Sequence, residues 1–431
     1  MGDGETAIDS GVILRSDPKR TVIRPFEPGD PPGFGVEGRP RAQRIADRIL
    51  ELDADALHAE LKAMTDALAP RHRDLEAILM RRFGEVNGLV IDRCLVPREQ
   101  ALLIGAYFSE EYSYEAAALF NPSIVLHPDQ SGLGAGALRF IMSLRGIGEG
   151  HVSSVTFRTG IWEADGTVMV DPPSRYSVAP RITREDGDTI RLGCAGSLDI
   201  SETVIFPLTP AQRQGIEDVR LVRFLDDDDA TPRYFGTYTA YSGSTTRQEM
   251  LDTDDFSSFG MRPVTGPIAS GKGLAIFPRL IGGRYAALAR HDNENIWLLT
   301  SRDLYAWEGG GRLLTPRWPW EFVQMGNCGS PIEIDEGWLV VTHGVGMVRN
   351  YCIGACLLDR DDPSRVLART EAPILRPGEG DRDGYVPNVV YSCGAIARER
   401  SLLLPYGVAD SYATFATVDI DRLLKAMKTV S

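Results

Sequence analysis

Two adjacent carboxylates stand beside a guanidinium in Gly215-Ile-Glu-Asp-Val-Arg220, and Tyr238-Thr-Ala240 follows an acidic run at Asp226 to Asp229. Glu217 and Asp218, so close together and next to Arg220, can be held in different protonation states, which general acid catalysis requires. The plainer reading of the same residues is a surface ion pair. A second group is cationic: Lys272, Arg290 with His291, and His343-Gly344 each sit at the end of a short apolar run. If those ends converge they form a pocket for phosphate or a carboxylate; singly, each is a solvated charge or a structural histidine. The third group, Gly148-Glu-Gly-His-Val-Ser-Ser154 with Arg158, mixes carboxylate, imidazole, hydroxyl and guanidinium. That set reads sugar hydroxyls, or else closes a hydrogen-bonded turn. The four like charges at Asp226 to Asp229 read as a solvated hairpin tip.

Other chemistries lack their motifs. There is no phosphate loop, dinucleotide fingerprint, His-Glu-x-x-His pair or Gly-x-Ser-x-Gly elbow, so no nucleotide, metal or cofactor is expected. The six cysteines, Cys94, Cys194, Cys328, Cys352, Cys356 and Cys393, form no Cys-x-x-Cys pair, against both a disulfide framework and a thiolate zinc site. The 431 residues carry 46 Lys+Arg against 60 Asp+Glu, a net charge of -14 without a basic block. Nucleic acid and anionic membranes, which need a concentrated positive surface, are therefore not expected partners. The first ten residues hold three acidic side chains and no apolar run of signal-peptide length. These features describe a reduced, cytoplasmic protein.

The elements that must position the candidate groups change character near residue 120. From Gln43 to Phe83 apolar residues recur at helical steps (Ile45, Ile49, Leu57, Leu61, Met64, Leu68, then Leu75, Ile78, Leu79), with Pro70 between two helices. A further helix is predicted from Arg98 to Phe120. An irregular segment, rich in Pro and Gly at Pro25 to Pro40, precedes them. The expected division is therefore 1–42 irregular, 43–120 helical and 121–431 all-β. After Asn121-Pro122 short β-branched and aromatic runs, such as Leu138 to Leu144, Val152 to Phe157, Tyr234 to Ala240, Leu274 to Phe277 and Trp338 to Thr342, alternate with turn residues. Acidic or Gly turns leading into aromatic-led strands recur about every 50 residues, the length of one four-stranded propeller blade.

Six segments together resemble glycoside hydrolase family 130, the β-mannoside phosphorylases and β-mannosidases: Glu111 to Val125, Gly148 to Arg158, Gly215 to Arg220, Lys272 to Pro278, Gly337 to Val345, and Leu357-Leu-Asp359 with Asp362-Pro363. The likeness runs in order from about residue 110 to Asp410 and leaves the helical segment unexplained. It implies an all-β five-bladed β-propeller with an N-terminal mainly helical extension, cleaving β-mannosides with inversion. Asp218 falls where the family's proton donor stands, in a Glu-Asp-Pro-Arg motif with Val219 replacing Pro. Its proton is expected to pass through a hydroxyl of the bound mannose.

The resemblance also implies a phosphate site at Lys272, Arg290, His343 and Tyr351, and sugar contacts from Asn121, Arg145, Glu149, His151, Ser153, Arg158, Glu217, Arg220 and Asp410. Inorganic phosphate would be the co-substrate, with no other cofactor. Gln324 stands where phosphorylases often have Lys. Phosphate is its own nucleophile, whereas an inverting hydrolase needs a second carboxylate to activate water; Glu149, Glu202 and Glu333 are the candidates for that role. Phosphorolysis is the favoured expectation, with β-mannoside hydrolysis and a non-catalytic carbohydrate-binding propeller as alternatives. The helical segment is expected to pack on the propeller or to make a homo-oligomer contact.

Overall fold

The computed structural model describes residues 7–30, 40–88, 96–226 and 229–430. Cys94, Asp227 and Asp228 in the acidic hairpin tip, and most of the Pro/Gly-rich stretch lie outside them. The chain divides into two compact units, one of Lys19–Ser113 with Arg175–Ala179 and one of Met1–Pro18, Tyr114–Ser174 and Pro180–Ser431.

The smaller unit carries helices Arg41–Leu50, Ala54–Leu68, Leu75–Val86 and Arg98–Tyr107 and a two-stranded sheet, Thr21–Pro25 with Ser109–Ser113. Ala46, Ile49, Leu57, Val86, Ile104 and Phe108 form its core. Asp53 starts the second helix by accepting the Ala56 amide, as an N-cap carboxylate does. Two expectations change here. The helix predicted over 98–120 ends at Tyr107, and the remainder becomes strands Ser109–Ser113 and Ala118–Leu126. Cross-strand pairing, Val22 opposite Tyr112 and Ile124 opposite Met142, overrides the local helix preference of the alanines. The segment read as irregular over 1–42 contains strand Ala7–Leu14, which pairs with Tyr412–Asp419 near the other end of the chain.

The larger unit is mostly β. Strands Ala118–Leu126, Leu138–Ile147 and Ser153–Trp162 run antiparallel in order, and Ser153 meets Gly215 at the edge of the next group, Gly215–Asp226, Asp229–Tyr241, Thr246–Thr253 and Ser258–Pro263. Separate sheets follow: Lys272–Ile276 through Gly310–Leu314, then Gln324–Asn327, Gly337–Val345, Tyr351–Leu358 and Val366–Thr370, and last Val390–Tyr391, Ser401–Val408 and Tyr412–Asp419 with Ala7–Leu14. Successive sheets pack face to face. Phe224, Phe235 and Met250 meet Leu274, Leu299 and Trp307. Phe277 and Leu288 meet Trp338 and Val340, and Leu339 and Ile353 meet Leu402 and Ala416. The last sheet packs through Leu403 and Phe415 on Phe140 and Trp162 of the first.

One ion pair is built into this β core. Arg158 donates to both oxygens of Glu115 at 2.9 and 3.0 Å, and their side chains are 4% and 0% exposed. Removing one member strands the other charge away from water. Glu115→Ala is therefore expected to destabilise the protein by about 3–5 kcal/mol, read as a lowered denaturation midpoint, and a loss under 1 kcal/mol on that scale contradicts the pairing.

Candidate active site

Three inner strands carry the same irregularity. In Ala118–Leu126 the register shifts between Phe120 and Ser123, in Gly215–Asp226 between Glu217 and Arg220, and in Lys272–Ile276 between Lys272 and Ala275. At each place two residues oppose one, which is a β-bulge, and the first extra residue has positive φ: Asn121 at 49°, Asp218 at 54° and Gly273 at 82°. In a regular strand neighbours point to opposite faces. The bulge cancels that alternation, so that Glu217 and Asp218 both line one cavity. Asn and Asp tolerate this left-handed conformation better than most residues, and Gly adopts it freely.

The cavity, about 230 Å3, is lined by Asn121, Arg145, Glu217, Asp218, Lys272, Arg290, Arg349, Tyr351, Val386, Val389, Tyr391 and Asp410. Arg145 forks across the carboxylates, to Asp218 Oδ1 at 3.2 Å and Glu217 Oε1 at 2.8 Å, and is oriented by the Ser153 hydroxyl at 2.8 Å. Asn121 donates to Asp218 Oδ1 at 2.7 Å, and Lys272 donates to Glu217 Oε2 at 3.2 Å. Burial opposes ionisation of Asp218, but Arg145, Arg220, the Asn121 amide and Lys272 outweigh it and hold the carboxyl below its ordinary range. Asp410, in the turn after Ser401–Val408, goes the other way. Burial and the Asp218 charge push it up to about 6, against the opposing pull of Arg145. In the ligand-free cavity Asp218 is thus ionised, while Asp410 holds a proton in mildly acidic solution.

The cations divide by partner. Arg145 and Lys272 serve carboxylates, whereas Arg290 is buried, its Nε lacks a partner, and no hydrogen bond or ion pair engages its guanidinium among the described residues. Tyr351 lies beside it in the lining, and the Gln324 amide reaches the Tyr351 hydroxyl at 3.4 Å.

Three expected site residues stand behind the lining. Ser153 holds Arg145. Arg220 donates to the Tyr391 hydroxyl at 2.7 Å and to the Asp218 carbonyl at 3.2 Å. His343 is buried against Tyr391 and Tyr351, with ring centroids 4.9 and 6.1 Å apart, and burial with nearby Arg290 and Arg220 keeps its imidazole neutral. His343 is therefore not a cation in this site, although its unpartnered Nε2 remains a polar group among aromatic rings.

Other expected sugar contacts lie elsewhere. Arg158 is consumed by Glu115. Glu149 and His151 sit on an exposed turn outside the cavity lining, with His151 stacked on Tyr385 at 5.8 Å. Of the further candidate bases, Glu202 accepts from Ser174 and the Leu198 amide, and Glu333 is bound by Arg279; neither lines the cavity. Arg349 and Tyr391 were missed. Arg349 belongs to the short irregular turn Met347–Arg349, which has no periodicity to read, and Tyr391 ends a two-residue strand.

Asp410 binds its proton more tightly in the folded than in the unfolded chain, so folding takes up a proton between about pH 4 and 6 and this group's contribution falls as pH rises through about 6. Asp410→Asn, which keeps the neutral shape, is expected to raise stability at about pH 7.5 by roughly 1–3 kcal/mol and to leave it unchanged near pH 4. Melting curves at the two pH values check the sign; stabilisation that is equal at both contradicts it.

Comparison with known proteins places the chain in a family. The model of glycoside hydrolase family 130, described as β-1,4-mannooligosaccharide phosphorylase, matches residues 197–429. A β-1,2-mannobiose phosphorylase of Listeria innocua is 33% identical over 234 residues, which cover 52% of this chain and 63% of that protein. A 1,2-β-oligomannan phosphorylase of Thermoanaerobacter sp. is 31% identical over 247 residues, covering 53% of this chain and 79% of the relative. The solved Listeria innocua β-1,2-mannobiose phosphorylase, in complex with β-1,2-mannobiose, superposes with a TM-score of 0.54 at 22% identity over 72% of this chain and 92% of that one, a likeness of fold. The family match spans more than half the chain and includes every cavity residue from Glu217 to Asp410: the chain belongs to glycoside hydrolase family 130.

Proposed function

We propose that the chain is an inverting phosphorylase of β-mannosides, with Asp218 as the acid and Arg290, Lys272 and Tyr351 holding inorganic phosphate. The observation that carries this reading is the Arg290 guanidinium, buried without a partner among the described residues at a cavity that also contains Asp218. A buried guanidinium without a counter-ion is costly unless an anion completes it. Arg349, on the same wall as Tyr351, adds a third cation there. The names of the relatives, phosphorylases of β-1,2- and β-1,4-mannosides, agree with the reading.

In the reaction a phosphate oxygen bonds to C1 of the mannosyl unit on its α face as the β-glycosidic C–O bond breaks. The leaving oxygen takes a proton, and the products are α-mannose 1-phosphate and the shortened sugar. Hydrogen phosphate supplies the proton balance, since its hydrogen ends on the leaving hydroxyl. Asp218 must be protonated to pass that proton on, by way of a mannose hydroxyl, yet the surrounding cations keep it ionised in the ligand-free site. A phosphate dianion on Arg290 and Lys272 offsets those cations and so raises the affinity of Asp218 for its proton. The nucleophile thereby prepares the acid.

The order in which the five β groups pack, the last against the first, supports a five-bladed propeller with this cavity at its centre. No helix among the described residues is long and apolar enough to cross a membrane. Free, buried cysteines, with thiols such as Cys328 pushed up to about 12 by burial, agree with a reduced, cytoplasmic setting.

Incubation with β-1,2- and β-1,4-mannobiose should give mannose 1-phosphate only when phosphate is present; phosphate-independent release of mannose overturns the assignment. Asp218→Asn should lower kcat by about 10²–10⁴-fold, the usual scale for loss of a proton-transfer group. Gln324→Lys, which places a cation beside the Tyr351 hydroxyl, should lower the KM for phosphate with little change in the KM for the sugar. An unchanged or raised phosphate KM removes Gln324 from the anion site.

A further inference from the structure

Tyr391 lines the reaction cavity and is 7% exposed. Its backbone pairs with Gly407, and Gly407 in turn lies so close to the Asn121 bulge that an added Cβ would meet the Asn121 amide nitrogen at 2.9 Å. Tyr391 is thus tied to the bulge whose side chain reaches Asp218. Its ring meets His343 edge-on, with centroids 4.9 Å apart, and stands 6.3 Å from the ring of Tyr351. His343 is itself beside Arg290: a Cβ on Gly326 would touch the His343 ring at 2.5 Å and the Arg290 Cδ at 3.3 Å. These contacts put the Tyr391 phenol on the side of the cavity where Arg290 and Tyr351 lie.

A phenol hydroxyl has one hydrogen to give and lone pairs with which to receive. Arg220 donates to the Tyr391 hydroxyl at 2.7 Å, and a guanidinium only donates, so the Tyr391 hydrogen cannot return along that bond. Among the described residues no acceptor for it lies within hydrogen-bond reach. Burial pushes the phenol well above its ordinary acidity range, against the pull of Arg220 and Arg290, so the hydrogen stays in place. Arg220 is 2% exposed and forms no ion pair among the described residues; its other bond goes to the Asp218 carbonyl at 3.2 Å. A donor polarised by one buried guanidinium, and standing in the field of a second, is matched better by an anionic oxygen than by a neutral hydroxyl.

We infer that the Tyr391 hydroxyl donates to an oxygen of the bound phosphate, which makes Tyr391 a further residue that touches the nucleophile, beside Arg290, Lys272 and Tyr351. The inference rests on the phosphorylase reading. Tyr391→Phe keeps the ring and its packing and removes the donor. In initial rates of mannobiose phosphorolysis it should raise the KM for phosphate about 10–100-fold, the scale of one hydrogen bond to a charged group, with the KM for mannobiose within about threefold. A phosphate KM that moves less than about threefold, or a mannobiose KM that rises as far as the phosphate one, overturns the inference; the first leaves Tyr391 as a partner of Arg220 alone, and the second turns its hydroxyl to the sugar. A wild-type crystal soaked in phosphate reads the same contact without a substitution. The hydroxyl should lie about 2.5–3.0 Å from a phosphate oxygen, and no phosphate oxygen within about 3.5 Å of it overturns the inference. Mannose released without phosphate, with the anion nevertheless bound at the Tyr391 hydroxyl in the soaked crystal, would instead sink the proposed reaction and leave this contact standing.

Discussion

The site depends on a break in alternation. A pleated strand can present only every second residue to one side, so a run such as Glu217-Asp218 cannot place both carboxylates in one cavity unless the strand is bulged between them. The bulges at Asn121, Asp218 and Gly273 recur at corresponding places in three inner strands, and each moves the chain through a conformation that costs an ordinary L-residue roughly 1–2 kcal/mol. Asn121 and Asp218 both carry that cost and join in the hydrogen bond that results. The strain and the chemistry share residues, as functional sites often do.

Around those bulges the charges are sorted rather than merely paired. Arg145 binds both carboxylates in a forked geometry that Lys could not copy. Lys272 takes the remaining oxygen of Glu217. The carboxyls of Asp218 and Asp410 are driven apart in acidity by their surroundings, one by cations and hydrogen bonds, the other by burial and its neighbour's charge. Arg290 is left over, and its lack of a partner among the described residues distinguishes this pocket from a structural ion-pair network such as Glu115 with Arg158 or Glu321 with Arg369.

Much of this was legible from motif spacing. Glu217, Asp218, Lys272 and Arg290 sit at the ends of short β-rich runs, and strand ends are where a β protein assembles a site. What could not be read was which polar side chains turn inward. Arg158 and Arg145 lie in adjacent strands and look alike in sequence, but one meets Glu115 in the core and the other faces the cavity. His343 reads as a cation until burial among Tyr351 and Tyr391 makes it neutral. Arg349 sits in a turn without periodicity, and the stretch after Tyr107 favours helix locally yet is drawn into strands by distant partners.

The strand Ala7–Leu14 completes the sheet that presents Asp410, and its partner Tyr412–Asp419 is separated from it by nearly the whole chain. During synthesis at about 5–20 residues per second, the first strand emerges roughly 20–80 s before the strand it must pair with exists. In the folded sheet Ala7–Leu14 lies at the edge with Ile8 and Ile13 exposed, the kind of edge prone to pairing with a neighbouring chain. Asp410 lies in the turn between Ser401–Val408 and Tyr412–Asp419, so the cavity gains this group only after that late-made hairpin has formed.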